Sequence, residues 1–431
     1  MSRLFGKVLI GVYFLVAVPM AQSGQAPVQL PEGDGKALVQ GMCAACHELN
    51  QITRSSGYSR EDWRELISSM INLSGTPTED AITKYLATHF PANDKLKPTL
   101  VPGEVKITFR EWKVPQLGQR ARDPVQTPDG MIWYCGQFGN LVGRIDPKTG
   151  EVWEYTLPEK ALPHSITPDR DGNIWYTGNG NGTVGKLDPK TGKITEYKMP
   201  DPAAKDPHTA VFDDKGRMFF TLQAANMIGR LVPSTGDIKL VTSPRKDSRP
   251  YGIKVAADGS LWVACNGSGC LLRVDPETMA VREYDLLDRN TTVRRLDIAG
   301  DGMIWYVNSG MGRLGRLDPK NGQVKEWLSP SGPKSHPYGI AIVDGIVWYN
   351  ESGQRPDALV RFDPATERFQ SWPIASGRIY AGINRHMRPT PDGNLLIHQT
   401  ATNRIILVTL KPTRRATADG KPSGGGSPKP G

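Results

Sequence analysis

The chain has 431 residues, 38% of them apolar and 23% charged, with a formal net charge of +9. That length suits two or three domains with a sizeable buried core. Arg3 and Lys7 carry two of the positive charges and residues 411–431 a net four more, which leaves about +3 for the part between. So small a balance excludes the broad basic surface of a nucleic-acid-binding protein.

In chain order, residues 1–26 read as a secretory signal. Arg3 and Lys7 form its charged start, VLIGVYFLVAV its apolar middle, and small residues allow cleavage after Ser23 or Ala26. The apolar run is too short to span a bilayer, so no membrane span is expected after cleavage, a retained N-terminal anchor being the alternative. Periplasmic or secreted localisation follows, in an oxidising compartment where each cysteine needs an account. Cys265 and Cys270 flank a Gly-rich link in CNGSGC and would bridge a hairpin if their Cα atoms lie close enough. Cys135, left alone, reads as a small buried hydrophobe.

Residues 27–98 contain KALVQGMCAACHEL, and within it Cys-x-x-Cys-His. On a helix, positions i, i+3 and i+4 share a face. Cys43 and Cys46 can then form thioethers to a porphyrin edge while His47 reaches the iron from the same side. The expected cofactor is one covalent haem c. The competing readings are a structural disulfide, a redox pair and a zinc half-site. A redox pair wants a βαβ setting, and zinc a second pair of ligands. SREDWRELISSM predicts a helix capped by Ser59, with Trp63, Leu66, Ile67 and Met70 on one face. TEDAITKYLATHF predicts another, with Ile82, Tyr85 and Leu86 inward and His89 or Phe90 completing the apolar face. The segment resembles a small class I cytochrome c domain. Met70 is the candidate distal ligand, because Met/His ligation is usual in such proteins; His89 and an open site are the alternatives.

Residues 99–410 carry a repeat. Turn pairs at Asp129-Gly130, Asp171-Gly172, Lys215-Gly216, Asp258-Gly259, Asp301-Gly302, Asp344-Gly345 and Asp392-Gly393 recur at intervals of 42 to 48 residues. Each leads to Trp133, Trp175, Phe219, Trp262, Trp305, Trp348 or Leu396, then to segments such as VGRIDP and VGKLDP, a turn, and a further strand. Four short strands per repeat is the period of a propeller blade. The seventh repeat lacks a fourth strand, and VKITFREWKVP at 105–115 has the pattern to supply it, which removes an exposed edge. The expected fold is mostly β: a seven-bladed propeller preceded by a small all-α cytochrome c domain. Residues 411–431, rich in Gly, Ser and Pro, are expected to be a disordered tail.

Counting back from each turn glycine gives one position per blade: Arg122, His164, His208, Tyr251, Arg294, Tyr338 and Arg385. None is aliphatic, as expected of a lined channel mouth that favours anions. A polar loop end facing solvent is the plainer account. A second set, Gln137, Asn179, Gln223, Asn266, Ser309, Ser352 and Thr400, is neutral and polar throughout.

With PHSITPDRDGNIWYTGNGNGTVGKLDPKTGKITEY as its closest stretch, the repeat resembles the streptogramin B (virginiamycin B) lyase family across residues 103–410. The resemblance implies the propeller fold. It also implies lyase chemistry with a histidine base and acidic residues holding magnesium, the one setting in which magnesium is expected. Tyr338 stands at the base position, His336 lies two residues earlier, and Glu351 matches one metal-holding carboxylate. A phenol of ordinary acidity is a poor base. The leading expectation is therefore electron transfer by an exported haem protein whose propeller binds a small anionic substrate or a redox partner protein. A haem-dependent oxidoreductase falls within that reading. A lyase-like C–O-cleaving enzyme and a non-catalytic binding scaffold are the alternatives. Quinone-cofactor dehydrogenases usually have eight blades and docking motifs not seen here.

Overall fold

A computed structural model describes residues 28–45, 49, 52–53, 58–374 and 384–410. The expected signal at 1–26, the motif residues Cys46 and His47, and the tail 411–431 lie outside the described residues.

The N-terminal module has helices α1 (Lys36–Cys43), α2 (Arg60–Ser68) and α3 (Pro77–His89). Ser59 caps α2, its side chain accepting from the Asp62 N–H while Asp62 bonds back to the Ser59 N–H, which satisfies two orphan donors. Thr76 caps α3, and Pro77 enters its first turn, where no N–H is needed. Trp63, Leu66, Ile67, Ile82, Tyr85 and Leu86 turn inward into one apolar cluster with Leu30, Val39 and Phe90, and Cys43 packs against it. Met70 does not join this cluster. The helix stops at Ser68 because the Ser69 carbonyl accepts from the Gly118 N–H at 3.0 Å and Asn403 Nδ2 at 2.8 Å. The chain then leaves the helical face, and Met70 is 36% exposed. His89 ends α3 with its ring 4.5 Å from that of Tyr85.

Seven four-stranded antiparallel sheets follow. Six are sequential: β2–β5 (Ala121–Thr156), β6–β9 (Pro163–Lys198), β10–β13 (Pro207–Thr242), β14–β17 (Pro250–Asp285), β18–β21 (Val293–Leu328) and β22–β25 (Pro337–Pro373). The seventh joins β26 (Arg388–Pro389), β27 (Leu395–Gln399) and β28 (Arg404–Thr409) to β1 (Thr108–Lys113), in the order β1-β28-β27-β26. Thr108 pairs with Thr409 and Lys113 with Arg404, so the N-terminal strand completes the last blade. Each turn between first and second strands needs a left-handed residue, met by glycine as at Gly130, φ 86°. Cys265 and Cys270, ending β15 (Leu261–Cys265) and starting β16 (Cys270–Val274), form a disulfide with Cα atoms 5.5 Å apart.

Trp133, Trp175, Phe219, Trp262, Trp305, Trp348 and Leu396 are all buried, at most 3% exposed. Several meet the next blade: Trp133 packs with Ile166, Ile174 and Leu187. Cys135 lies in the same cluster, and burial pushes its thiol up to about 12, the behaviour of an inert core residue. A second repeated contact lies inside blades one, two and five. Gly143, Gly185 and Gly315 lie flat under the rings of Tyr134, Tyr176 and Tyr306. Those phenols donate to Glu154, Glu196 and Glu326 at 3.1, 3.0 and 2.8 Å.

The helical module docks through its own backbone. Besides the two bonds to the Ser69 carbonyl, Ser69 Oγ donates to the Ala401 carbonyl at 3.1 Å. The linker continues the contact, since the Arg355 N–H donates to the Leu96 carbonyl at 2.7 Å. The module and linker thus lie against blades six, seven and one, on loops that enter first strands or join second to third strands.

A Cβ at Gly185 would overlap the Tyr176 ring. Gly185→Ala is expected to destabilise the propeller by about 1–3 kcal/mol, read as a lower urea midpoint with an unchanged denaturant slope.

Candidate functional site at the channel mouth

Proline precedes or opens several first strands, and the six complete blades carry a register shift just after the strand begins, for example between Pro163 and Ile166. A bulge re-aims a side chain away from the regular pleat. Here it turns one residue per blade toward the central axis. All seven predicted positions, Arg122, His164, His208, Tyr251, Arg294, Tyr338 and Arg385, line one cavity of about 330 Å³. Of the second predicted set, Gln137, Asn179, Gln223 and Asn266 join them; Ser309, Ser352 and Thr400 do not line it.

Three lining residues escaped the sequence reading: Arg120, Asp206 and Arg249. Each precedes its ring residue by two and holds a positive φ, at 58°, 62° and 54°. That left-handed step bends the loop into the channel. The same count back from the ring residue, extended by two, would have found them.

Tyr338 is the centre of the electrostatics. Its hydroxyl lies 2.5 Å from that of Tyr251, and Arg294 Nη1 donates to it at 3.3 Å. The Arg294 guanidinium also lies over its ring at 4.5 Å, with Arg385 at 5.9 Å. Burial alone would push this phenol up. Arg294, Arg385, the bond from Tyr251 and Arg122 outweigh it and bring Tyr338 down to about 7, while burial and the Tyr338 charge push Tyr251 up. The objection that tyrosine is too weak a base therefore does not hold at this position.

The histidines behave oppositely. His164 and His208 stack with centroids 3.5 Å apart, and His164 Nδ1 meets the His208 carbonyl at 3.1 Å. Burial first, then the neighbouring arginines, hold both well below the usual histidine range, so both are neutral. Just below the mouth, Asp123 bonds to His386 Nδ1 and accepts from Arg388 at 3.2 Å, joining the first blade to the last.

Glu351 is not brought to the mouth. It ends the second strand of blade six, fully buried, accepting from the Ser331 N–H at 2.9 Å and from Ser331 Oγ. Burial raises its carboxyl to about 6. Its position one strand out from the axis gives it a part in loop anchoring rather than in the cavity. His336 also stays outside the lining, its ring 5.8 Å from that of Tyr338. Asp206 is the sole carboxylate among the described residues that line the mouth, and no group of three His, Cys, Asp or Glu suited to a metal occurs among them. The described residues at the mouth do not fit a magnesium site.

The sequence matches the virginiamycin B lyase family over residues 102–274 and 236–418. The chain belongs to the virginiamycin B lyase family. Among solved structures it is similar to selenomethionine-substituted virginiamycin B lyase from Staphylococcus aureus, at 22% identity and TM-score 0.64, covering 71% of this chain and 100% of that one. A catalytically inactive form of the S. aureus enzyme with quinupristin has 23% identity, TM-score 0.64 and the same coverage. Kuenenia stuttgartiensis hydrazine synthase has 16% identity and TM-score 0.52, over 59% of this chain and 79% of that one. These likenesses show the propeller fold. No curated protein matches the chain.

An absorbance titration should show one tyrosine ionising near pH 7, absent in Tyr338→Phe and moved upward in Arg294→Ala. The folded value lies below the ~10 of an unfolded tyrosine. The phenolate–arginine contact is therefore fully stabilising above that unfolded value, and its contribution is lost as pH falls through about 7.

Proposed function

We propose that this chain is an exported c-type haem protein in which the propeller mouth binds a small anionic electron donor or acceptor. Cys43 and Cys46 would hold the haem and His47 its iron, with the distal position left between Met70, which lies exposed outside the module's apolar cluster, His89 and an open site. Cys43 ends α1 with its side chain on the module's apolar cluster, a setting that suits a flat apolar macrocycle. Bound there, the haem supplies one-electron chemistry. Periplasmic or secreted localisation goes with this reading; no helix among the described residues is long and apolar enough to cross a membrane.

One observation carries the proposal: the module that holds Cys43 docks on the loops that build the arginine-lined mouth. Gly118, which binds Ser69, lies two residues before Arg120 in the loop entering the first blade. Asn403, which also binds Ser69, accepts from the Arg120 N–H at 3.0 Å. Arg122, Arg294 and Arg385 would orient the anion, and the closely packed ring would limit water around it. Electron transfer needs proximity rather than a catalytic triad.

Tyr338 supports a second reading, elimination chemistry of the kind named in the relatives. It occupies the base position implied by the family resemblance, and its ionisation near 7 suits proton abstraction at neutral pH. Modification of quinupristin, lost in Tyr338→Phe and unaffected by removing metal ions, would favour that reading.

The exported protein should show haem absorption bands that change on reduction, with no reactive thiol at Cys43 or Cys46. A colourless product with both thiols free would overturn the haem assignment. Within a panel of small organic anions, at least one should reduce the haem, and Arg294→Ala or His208→Ala should abolish that reduction while leaving the spectrum unchanged.

A further inference from the structure

Arginine charge at the mouth exceeds what the protein itself neutralises. Arg120, Arg122, Arg249, Arg294 and Arg385 line the cavity, and none forms an ion pair among the described residues. Arg388, a few residues on, shows the contrast, since it has Asp123 at 3.2 Å. Arg122 is 1% exposed, and among the described residues the one hydrogen bond of its side chain is to neutral Gln137, at 2.7 Å. Among the described residues, the Nε atoms of Arg122, Arg294 and Arg385 are buried with no partner. Burial lowers Arg120, Arg122 and Arg385 below the usual arginine range, and repulsion from neighbouring arginines adds to it. Breaking a buried pair by removing one partner strongly destabilises, and buried charge normally carries a counter-ion. Tyr338 offers at most one negative charge against this group.

Asp206 is already committed. It accepts from Asn179 Nδ2, from the Ala224 N–H at 3.1 Å and from Gln223 Nε2 at 3.4 Å. Asn266 Nδ2 donates to Gln223 Oε1 at 2.6 Å, extending a neutral amide chain along blades two to four. The Asn266 Oδ1 at its end is a buried acceptor without a donor among the described residues. The mouth is therefore two-sided. Blades one, five and seven present guanidiniums without a carboxylate partner and blade six presents Tyr338, while blades two to four present amides and neutral imidazoles together with Asp206 and Arg249, whose charge acts on Asp206.

We propose that the mouth binds a small hydroxylated polyanion, with two or more carboxylate or phosphoryl charges toward Arg122, Arg294 and Arg385 and hydroxyl groups toward the Asn266–Gln223 side. The inference rests on the mouth being the binding site of the proposed function, and it names the ligand class. Planar guanidiniums favour oxyanions that accept two parallel bonds. A cavity of about 330 Å³ lies at the small end of ligand pockets, which suits a metabolite-sized molecule rather than a protein loop. A polyanion competes with the Tyr338 phenolate for Arg294 and Arg385, so its binding takes up a proton and weakens as pH rises through neutrality.

The test is calorimetry on the full oxidised protein near pH 7 with acetate, succinate, citrate and glucose 6-phosphate. Citrate or glucose 6-phosphate should bind at least roughly tenfold more tightly than succinate, and succinate than acetate. The better of the two names the anion as carboxylate or phosphoryl. Arg385→Ala should weaken that ligand by about tenfold or more, and Tyr338→Phe should keep binding while removing the proton uptake seen between two buffers. If Arg385→Ala fails to fold, Arg294→Gln takes its place. Equal affinities across the four probes, no binding by any of them, or unchanged affinity in both arginine variants would overturn the proposal. Binding without haem reduction by any donor would leave the ligand class standing and sink the redox reading. Haem reduction by another donor without polyanion binding would do the reverse.

Discussion

The pairing of Thr108–Lys113 with Arg404–Thr409 is the constraint on which the remaining structure depends. An open row of six blades would leave two sheet edges unpaired and no enclosed axis. Once the N-terminal strand completes the seventh sheet, the first and last blades must meet. Their seam is polar where it faces the axis. Asp123, from the first blade, bonds to His386 and Arg388 of the last, and Asn403 accepts from the N–H groups of Arg120 and Ala121. The same Asn403 turns its amide nitrogen to Ser69, so one residue ties ring closure to the docking of the helical module.

Closure also concentrates charge. The ring residues are spaced one blade apart along the chain, and each is ordinary alone. Brought to one cavity, the arginines act on every ionisable neighbour: they help keep His164 and His208 neutral and draw Tyr338 down to about 7 against its burial. The site's chemistry lies in this collective field rather than in any single residue. Buried guanidiniums without a carboxylate partner are costly, and this cost is the basis of the proposed polyanion site.

Much of this was legible in sequence. Turn pairs at intervals of 42 to 48 residues, the incomplete seventh repeat and the matching segment at 105–115 identified a closed seven-bladed ring. The non-aliphatic position in each repeat identified all seven mouth residues, because a bulged strand start imposes the same side-chain direction in the six complete blades, and the loop before β26 brings Arg385 to the same cavity. Arg120, Asp206 and Arg249 were missed because their inward direction comes from a positive φ, which residue type signals weakly outside glycine and asparagine. Glu351 matched by alignment position, yet its strand lies one place out from the axis, where Ser331 takes it. Met70 kept helical spacing with Trp63 and Leu66, but the propeller captured the preceding carbonyl and ended the helix.

Sequence alone thus determined the blade number, the closing strand, the ring of mouth residues and the Cys-x-x-Cys-His motif. Each is written in local periodicity, where neighbours along the chain dictate strand, turn and side-chain face. Tertiary structure alone decided where the helical module docks, which carboxylates stay away from the mouth, and how acidic Tyr338 is. Those depend on contacts such as Asp123 with His386, 263 residues apart, and on the summed field of arginines from different blades. Coulombic interaction follows distance in space, and distance in space exists only after the ring has closed.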